Sequence, residues 1–169
     1  IFTDLYNEIL SKETTNVSNF SNKEQVFSEI KRLSDTEERC FNYMMKKKKA
    51  SPSFRYIALS QKDSDHVWSR FDKDIVISVA RSQADFLAEE SGKLSLLAYY
   101  EGDLLQLRVR RSQSFKSFDV RTILTELKIE SGGGHEGAIG FRVPADSVDN
   151  HSMFIKNVIS VTESMILAK

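Results

Sequence analysis

The sequence predicts an α/β fold: a mixed sheet with flanking helices, preceded by a helical connector. Three observations carry this. Leu94–Tyr100 and Leu104–Arg110 are apolar runs separated by Glu101-Gly102-Asp103, the pattern of a β-hairpin. Helical stripes and further strand-like runs alternate on either side of that hairpin. Before Pro52 the chain reads only as helix and polar linker, and after it the character changes. The expected division is therefore a connector over 1–50 and a body over 51–169.

In chain order, Ile1, Leu5, Ile9 and Phe2, Tyr6, Leu10 have helical spacing, so residues 1–11 predict a short helix. Residues 11–22, rich in Ser, Thr and Asn, predict a linker. Ser21 and Glu24 have the spacing of a capping box, and Val26, Ile30, Leu33, Cys40 and Met44 continue a helical stripe, with a break considered near Ser34 and Glu37. Lysines 46–49 suit the negative end of a helix dipole, and a solvated helix terminus is the expectation; a phosphate-binding patch is the alternative. Phe54–Leu59 predicts a strand. Residues 61–73, with Asp63, Asp65 and His66, predict a polar loop that lacks a second cluster to complete a metal site. Ile75, Val79, Phe86 and Leu87 place a helix over 74–91. A helix over 119–128, a strand over 137–143 and a final helix follow. That last helix is expected to be capped by Asp146, with Val148, Phe154, Val158, Val161 and Met165 on one side.

Composition narrows the function classes. The 169 residues are 40% hydrophobic and 28% charged, a globular balance, and a chain of this length buries roughly 70% of its unfolded surface. Lys+Arg and Asp+Glu are 24 each, so any case for a polyanionic partner must be local. The single Cys40 cannot form an internal disulfide and is expected to be a buried structural thiol. No apolar run approaches the ~20 residues that span a bilayer, and no signal-peptide pattern opens the chain. No membrane association and a cytoplasmic location are expected. The opening Ile1, in place of Met, is read as a cleaved, trimmed or internal start.

The unusual stretch is Glu130–Val143. Three of the 7 glycines, Gly132, Gly133 and Gly134, stand together and directly precede His135, one of 3 histidines. The order helix, glycine run, strand fits neither a P-loop nor a dinucleotide fingerprint, since both run from strand into helix. A glycine run can gather backbone N–H groups around an anion, with His135 donating to a phosphate oxygen. It can equally be a tight helix-to-strand connection in which Gly132 caps the helix. Arg110-Arg111-Ser112 ends the second hairpin strand, and α/β folds hold ligands at strand ends. If both strands share a sheet, Arg111 and the glycine loop converge on one anion.

Together these residues resemble the C-terminal, DHH-associated domain of the DHH phosphoesterases, a superfamily that includes RecJ-like exonucleases, nanoRNA hydrolases and cyclic dinucleotide phosphodiesterases. The resemblance lies in Arg111-Ser112, Asp119-Val120, Gly132-Gly133-Gly134-His135 and Ala138–Phe141, and it covers roughly residues 54–143. It implies a substrate-binding domain that holds the phosphate of a nucleotide or single-stranded nucleic acid end through Arg111, Ser112, Gly132, Gly133, Gly134 and His135. It also implies a manganese-bearing N-terminal DHH domain of the same protein that performs the phosphodiester hydrolysis. This sequence contains no Asp-His-His: Asp65-His66 is followed by Val67. No catalytic residue, metal ligand or bound cofactor is therefore expected in this chain. Tyr99 and Tyr100 could stack a base, with core packing the expectation for at least one. Two other readings are a stand-alone nucleic-acid-binding module, and a non-catalytic interaction domain in which the glycine run is only a turn.

Overall fold

The computed structural model describes residues 23–148 and 150–168. The helix expected over 1–11, the linker over 11–22 and Ser21 of the capping box lie outside them. Helix α1 (Lys23–Met45) has Glu24 in its first turn and runs through Ser34 and Glu37 without the break considered there. Thr36 Oγ1 donates back to the Arg32 carbonyl at 2.6 Å, a bond that keeps this hydroxyl within the helix. The chain divides into two compact units between Arg39 and Cys40. The unit from Cys40 onward holds the sheet, and Cys40 itself is fully buried.

Two sequence expectations on this unit need correction. Only half of the lysine run stands at a helix end: Lys46 and Lys47 make the turn after α1, whereas Lys48 and Lys49 belong to strand β1 (Lys48–Ala50), which pairs antiparallel with β2 (Phe54–Ala58). Lysine is a favoured residue on such an edge strand because it discourages further pairing. Residues 61–73 are not a loop, since Gln61–Arg70 form helix α2. Ser60 caps it, its hydroxyl oxygen accepting from the Asp63 amide at 3.2 Å, a signal hidden among polar neighbours.

Helix α3 (Lys73–Ser91) ends on Gly92 with φ 67, and the hairpin follows as β3 (Leu94–Glu101) and β4 (Leu104–Arg111). Its register runs from Leu94 opposite Arg111 to Glu101 opposite Leu104. Helix α4 is shorter than expected, Arg121–Glu126, and Lys128 turns the chain at φ 53. The glycine run is not a loop: Gly132–His135 form strand β5, antiparallel to β6 (Ala138–Pro144). Low strand propensity in a triglycine disguises it.

The last helix, α5 (His151–Leu167), is capped by Asn150, whose Oδ1 accepts from the Met153 amide at 3.0 Å. Asp146 instead lies in a 3-10 turn, Ala145–Ser147. The helix therefore starts later, and its buried side is Ile155, Val158, Ile159 and Thr162; of the expected stripe only Val158 is fully buried.

Among the described residues, six strands form one mixed sheet in the order β1-β2-β3-β4-β6-β5. One face carries the main core: Leu94, Leu96 and Ala98 of β3 and Leu105, Leu107 and Val109 of β4 meet Ile123 of α4 and Ile155 and Val158 of α5. On the other face α3 packs across β2, β3 and β4, and Ser95 Oγ donates to its Ala84 carbonyl at 2.6 Å. Tyr99 and Tyr100 are both buried, as core packing requires.

The cap assignment is testable by urea unfolding. Asn150→Ala is expected to destabilise by about 1 kcal/mol. Asp146→Ala is expected to change stability by less than about half that.

Candidate functional site

Beyond the cover of α3, the outer face of β4, β6 and β5 is built in cross-strand rows. Arg108, Gly140 and Gly133 form one row, and Arg110, Ala138 and His135 the next. Two facing glycines leave the first row bare. This floor lines a concavity of about 380 Å³ with Gln106, Arg108 and Arg142 at its rim. Arg108 Nε is buried there without a hydrogen-bond partner. Such an orphaned charged donor is uncommon in a folded interior.

A second concavity of about 320 Å³ lies at the end of β4 and the β5–β6 turn, lined by Arg110, Arg111, Lys116, His135 and Gly137 among others. Arg111 and His135 thus share one opening. A Cβ built on Gly137 would stand 3.5 Å from His135 Cε1 and 3.7 Å from Arg111 Nη2. The two cationic or proton-donating side chains therefore flank the one residue of that turn without a side chain.

Their hydrogen bonds define what each can offer. Gly137 N–H donates to His135 Nδ1 at 3.2 Å. A neutral ring then carries its proton on Nε2, ready to donate outward. Arg111 Nη1 donates to the carbonyls of Lys116 (2.9 Å) and Phe118 (2.8 Å), clamping the 112–118 segment. Its Nη2 makes only a long contact with exposed Glu136, 3.4 Å. Ser112 is placed differently. It is 1% exposed, and its hydroxyl is engaged with Glu89 Oε2 and Ser114 Oγ, so it anchors the segment that carries Arg111. Glu136 and Asp85 oppose a bound anion, but each faces an arginine, Arg111 and Arg110 respectively.

The glycines have separate reasons. At Gly134, with φ 147, a Cβ would lie 2.1 Å from the Ala138 carbonyl oxygen. At Gly132 it would lie 2.8 Å from Leu124 Cδ2 and 2.9 Å from Phe141 Cβ, so α4 packs directly on that backbone. Gly133 meets nothing and opens the floor. As an edge strand, β5 leaves alternate backbone amides unpaired by a neighbouring strand, available as donors.

Asp119 and Val120 lock the approach. The Val120 amide donates to the Glu136 carbonyl at 3.1 Å. The Arg121 side chain and then its backbone N–H hold the Asp119 carboxyl down at about 2, with a smaller contribution from the charge of Arg111.

Sequence reasoning named Arg111, Ser112, Gly132, Gly133, Gly134 and His135; all lie at this edge of the sheet, although the Ser112 hydroxyl faces inward. It missed Gly140, Arg142 and Lys116, and read Arg108 only as strand surface. Gly140 and Arg142 alternate along β6 in step with Gln106 and Arg108 of β4, but that pairing is visible only once the register is known.

Among the described residues no group of three or more His, Cys, Asp or Glu could hold a metal ion. Asp63 bonds Ser60 and pairs with Lys47, Asp65 accepts from Gln61, and His66 stacks on Tyr43. These residues do not fit a two-metal phosphodiesterase centre. Among the described residues, no helix is long and apolar enough to cross a membrane.

No protein-family model matches the chain, and no curated protein sequence matches it at a significant level. Among solved structures it is similar to PggH, a pGpG-specific phosphodiesterase from Vibrio cholerae, with TM-score 0.49 and 10% identity, covering 84% of this chain and 44% of that one. The C-Ala domain of alanyl-tRNA synthetase from Aquifex aeolicus gives TM-score 0.42 and 16% identity over 68% of this chain and 98% of that one. CDC45 from Entamoeba histolytica gives TM-score 0.46 and 12% identity over 65% and 24%. The chain spans less than half the length of the phosphodiesterase.

Two outcomes follow from this geometry. Gly134→Ala is expected to destabilise by on the order of 3 kcal/mol through clash and backbone strain, whereas Gly133→Ala is neutral or stabilises by up to about 1 kcal/mol; urea unfolding of both checks this. Because its folded pKa is lowered, Asp119 stabilises above the ordinary carboxylate range near 3.9, and that contribution is lost as pH falls through about 2. Asp119→Asn should therefore lower stability at pH 6, by no more than about 1 kcal/mol for so exposed a pair, and leave it unchanged near pH 2.

Proposed function

We propose that this chain contributes the substrate-binding domain of a DHH-type phosphoesterase, holding the phosphate of a nucleotide or single-stranded nucleic acid end. The single observation that carries the reading is the approach of His135 and Arg111 to one point beside Gly137, at the mouth of a concavity also lined by Lys116. An anion seated there receives a proton-bearing Nε2 from one side and a guanidinium Nη2 from the other, charge-assisted bonds of the stronger kind. The resemblance of Arg111-Ser112 and the Gly132–His135 run to the DHH-associated domain supports the same assignment.

In this reading each residue has a distinct task. Arg111 binds the phosphate while holding the 112–118 segment, and Ser112 positions Arg111 through Glu89. Gly132 and Gly134 allow β5 to close on α4 and β6, and unpaired amides of β5 add neutral donors. The bare Gly133–Gly140 floor accommodates the adjoining sugar or base, flanked by Arg108 and Arg142. The hydrolytic metal centre belongs to a DHH domain outside this chain, for which manganese is the proposed ion; this chain supplies binding and orientation.

Isothermal titration of the chain with a 5′-phosphorylated dinucleotide tests the proposal. His135→Ala and Gly137→Ala are each expected to weaken binding by about tenfold with little change in melting temperature. The Gly137→Ala methyl fits at ordinary contact distance, so it fills the opening without disturbing the fold. Unchanged affinity in both variants contradicts the reading. A large loss of melting temperature with binding intact marks the β5–β6 turn as purely structural.

A further inference from the structure

The geometry points to a second phosphate-binding site, on the opposite edge of the sheet, where the lysine run, β2 and the start of α5 meet. A cavity of about 400 Å³ there is lined by Lys46 to Lys49, Tyr56, His151 and Lys156, with Asp63 the one carboxylate in the lining among the described residues. Lys47 pairs with Asp63 at 2.8 Å and Lys48 with Glu90 at 2.9 Å. Exposed Lys46, Lys49 and Lys156 have no ion-pair partner among the described residues. Three unneutralised ammonium groups around one cavity favour a ligand with two or more negative charges.

His151 supplies the independent observation. Both its ring nitrogens are buried, and neither has a hydrogen-bond partner. Its ring packs on Tyr100 with centroids 5.2 Å apart. Burial, and then the nearby charge of Lys49, push its pKa down, and the residue belongs to the lining of the basic cavity. A ligand oxygen reached by a turn of the ring would satisfy one of these nitrogens. His151 also opens the 17-residue helix α5, whose positive end adds to the field. Tyr56, Ala58 and Ile155 give the cavity an apolar wall that suits a sugar or base beside the phosphate.

This site is separate from that of Arg111 and His135. The two linings share no residue, and strand β3 lies between β2, which lines one, and β4, which lines the other. The inference does not rest on the proposed function above, and the site takes either a free nucleotide or the phosphodiester backbone of an oligonucleotide.

The test is titration of the full chain with inorganic pyrophosphate, AMP and a 5′-phosphorylated tetranucleotide, read by calorimetry and by the imidazole resonances of His151. Pyrophosphate is expected to shift those resonances. The double variant Lys49→Glu, Lys156→Glu should weaken the pyrophosphate binding read at the His151 resonances by about tenfold or more at unchanged melting temperature. His151→Phe, which keeps the stack on Tyr100, should weaken the calorimetric binding too without loss of stability. AMP binding as tightly as the tetranucleotide identifies a free nucleotide as the ligand, and a preference for the tetranucleotide identifies the backbone. Unshifted His151 resonances with all three ligands, or charge reversal without effect, overturns the proposal.

Discussion

The closure of strand β5 onto β6 and α4 is the constraint from which the candidate site follows. A side chain at Gly134 would occupy the space of the Ala138 carbonyl oxygen, and one at Gly132 would push against Leu124 and Phe141. With both positions bare, β5 completes the sheet, the β5–β6 turn comes down at the end of β4, and His135 arrives beside Arg111. The Val120 amide on the Glu136 carbonyl and the Arg111 amide on the Gly137 carbonyl then hold that turn in place. Gly133, the one residue of the run with open space above it, is the one that leaves floor for a ligand. Two of the three glycines thus serve packing, and the third leaves open space over the sheet.

Arg111 has a comparable double character. Its buried side chain satisfies two carbonyls of the 112–118 segment and still presents Nη2 at the opening. A guanidinium with five donors can do this, whereas an ammonium would have to choose. The same segment is tethered to α3 through Ser112 and Gln113 on Glu89. The site is therefore braced by the helix that covers the neighbouring half of the sheet face. With Lys+Arg equal to Asp+Glu overall, the charge available to the proposed phosphate sites depends on where the cations sit. Positive groups gather at two edges of the sheet, near His135 and near His151.

Much of this was legible in the sequence because strong periodic signals are local. The α/β class, the hairpin with its alternating Leu105, Leu107 and Val109, and the convergence of Arg111 with His135 all followed from pattern and strand-end logic. What escaped depended on pairing between distant residues. The triglycine read as a loop because glycine carries no strand propensity, yet its partner Phe141–Ala138 makes it a strand. Residues 61–70 read as a loop because their polar surface hides a short apolar side, Val67, and a serine cap. The Asn150 cap lost to Asp146 since both residue types cap helices and only backbone geometry separates them. The inward turn of the Ser112 hydroxyl required Glu89, twenty-three residues away, and no local signal could announce it.

The central claim, that His135 and Arg111 jointly grip a phosphate, is tested most directly by nitrogen-detected magnetic resonance of the labelled side chains during titration with a 5′-phosphorylated dinucleotide. The account predicts that the His135 Nε2 and Arg111 Nη resonances move together with the Gly137 amide, along one saturation curve. Movement of neither side chain at ligand saturation, with the Gly137 amide undisturbed, would contradict it.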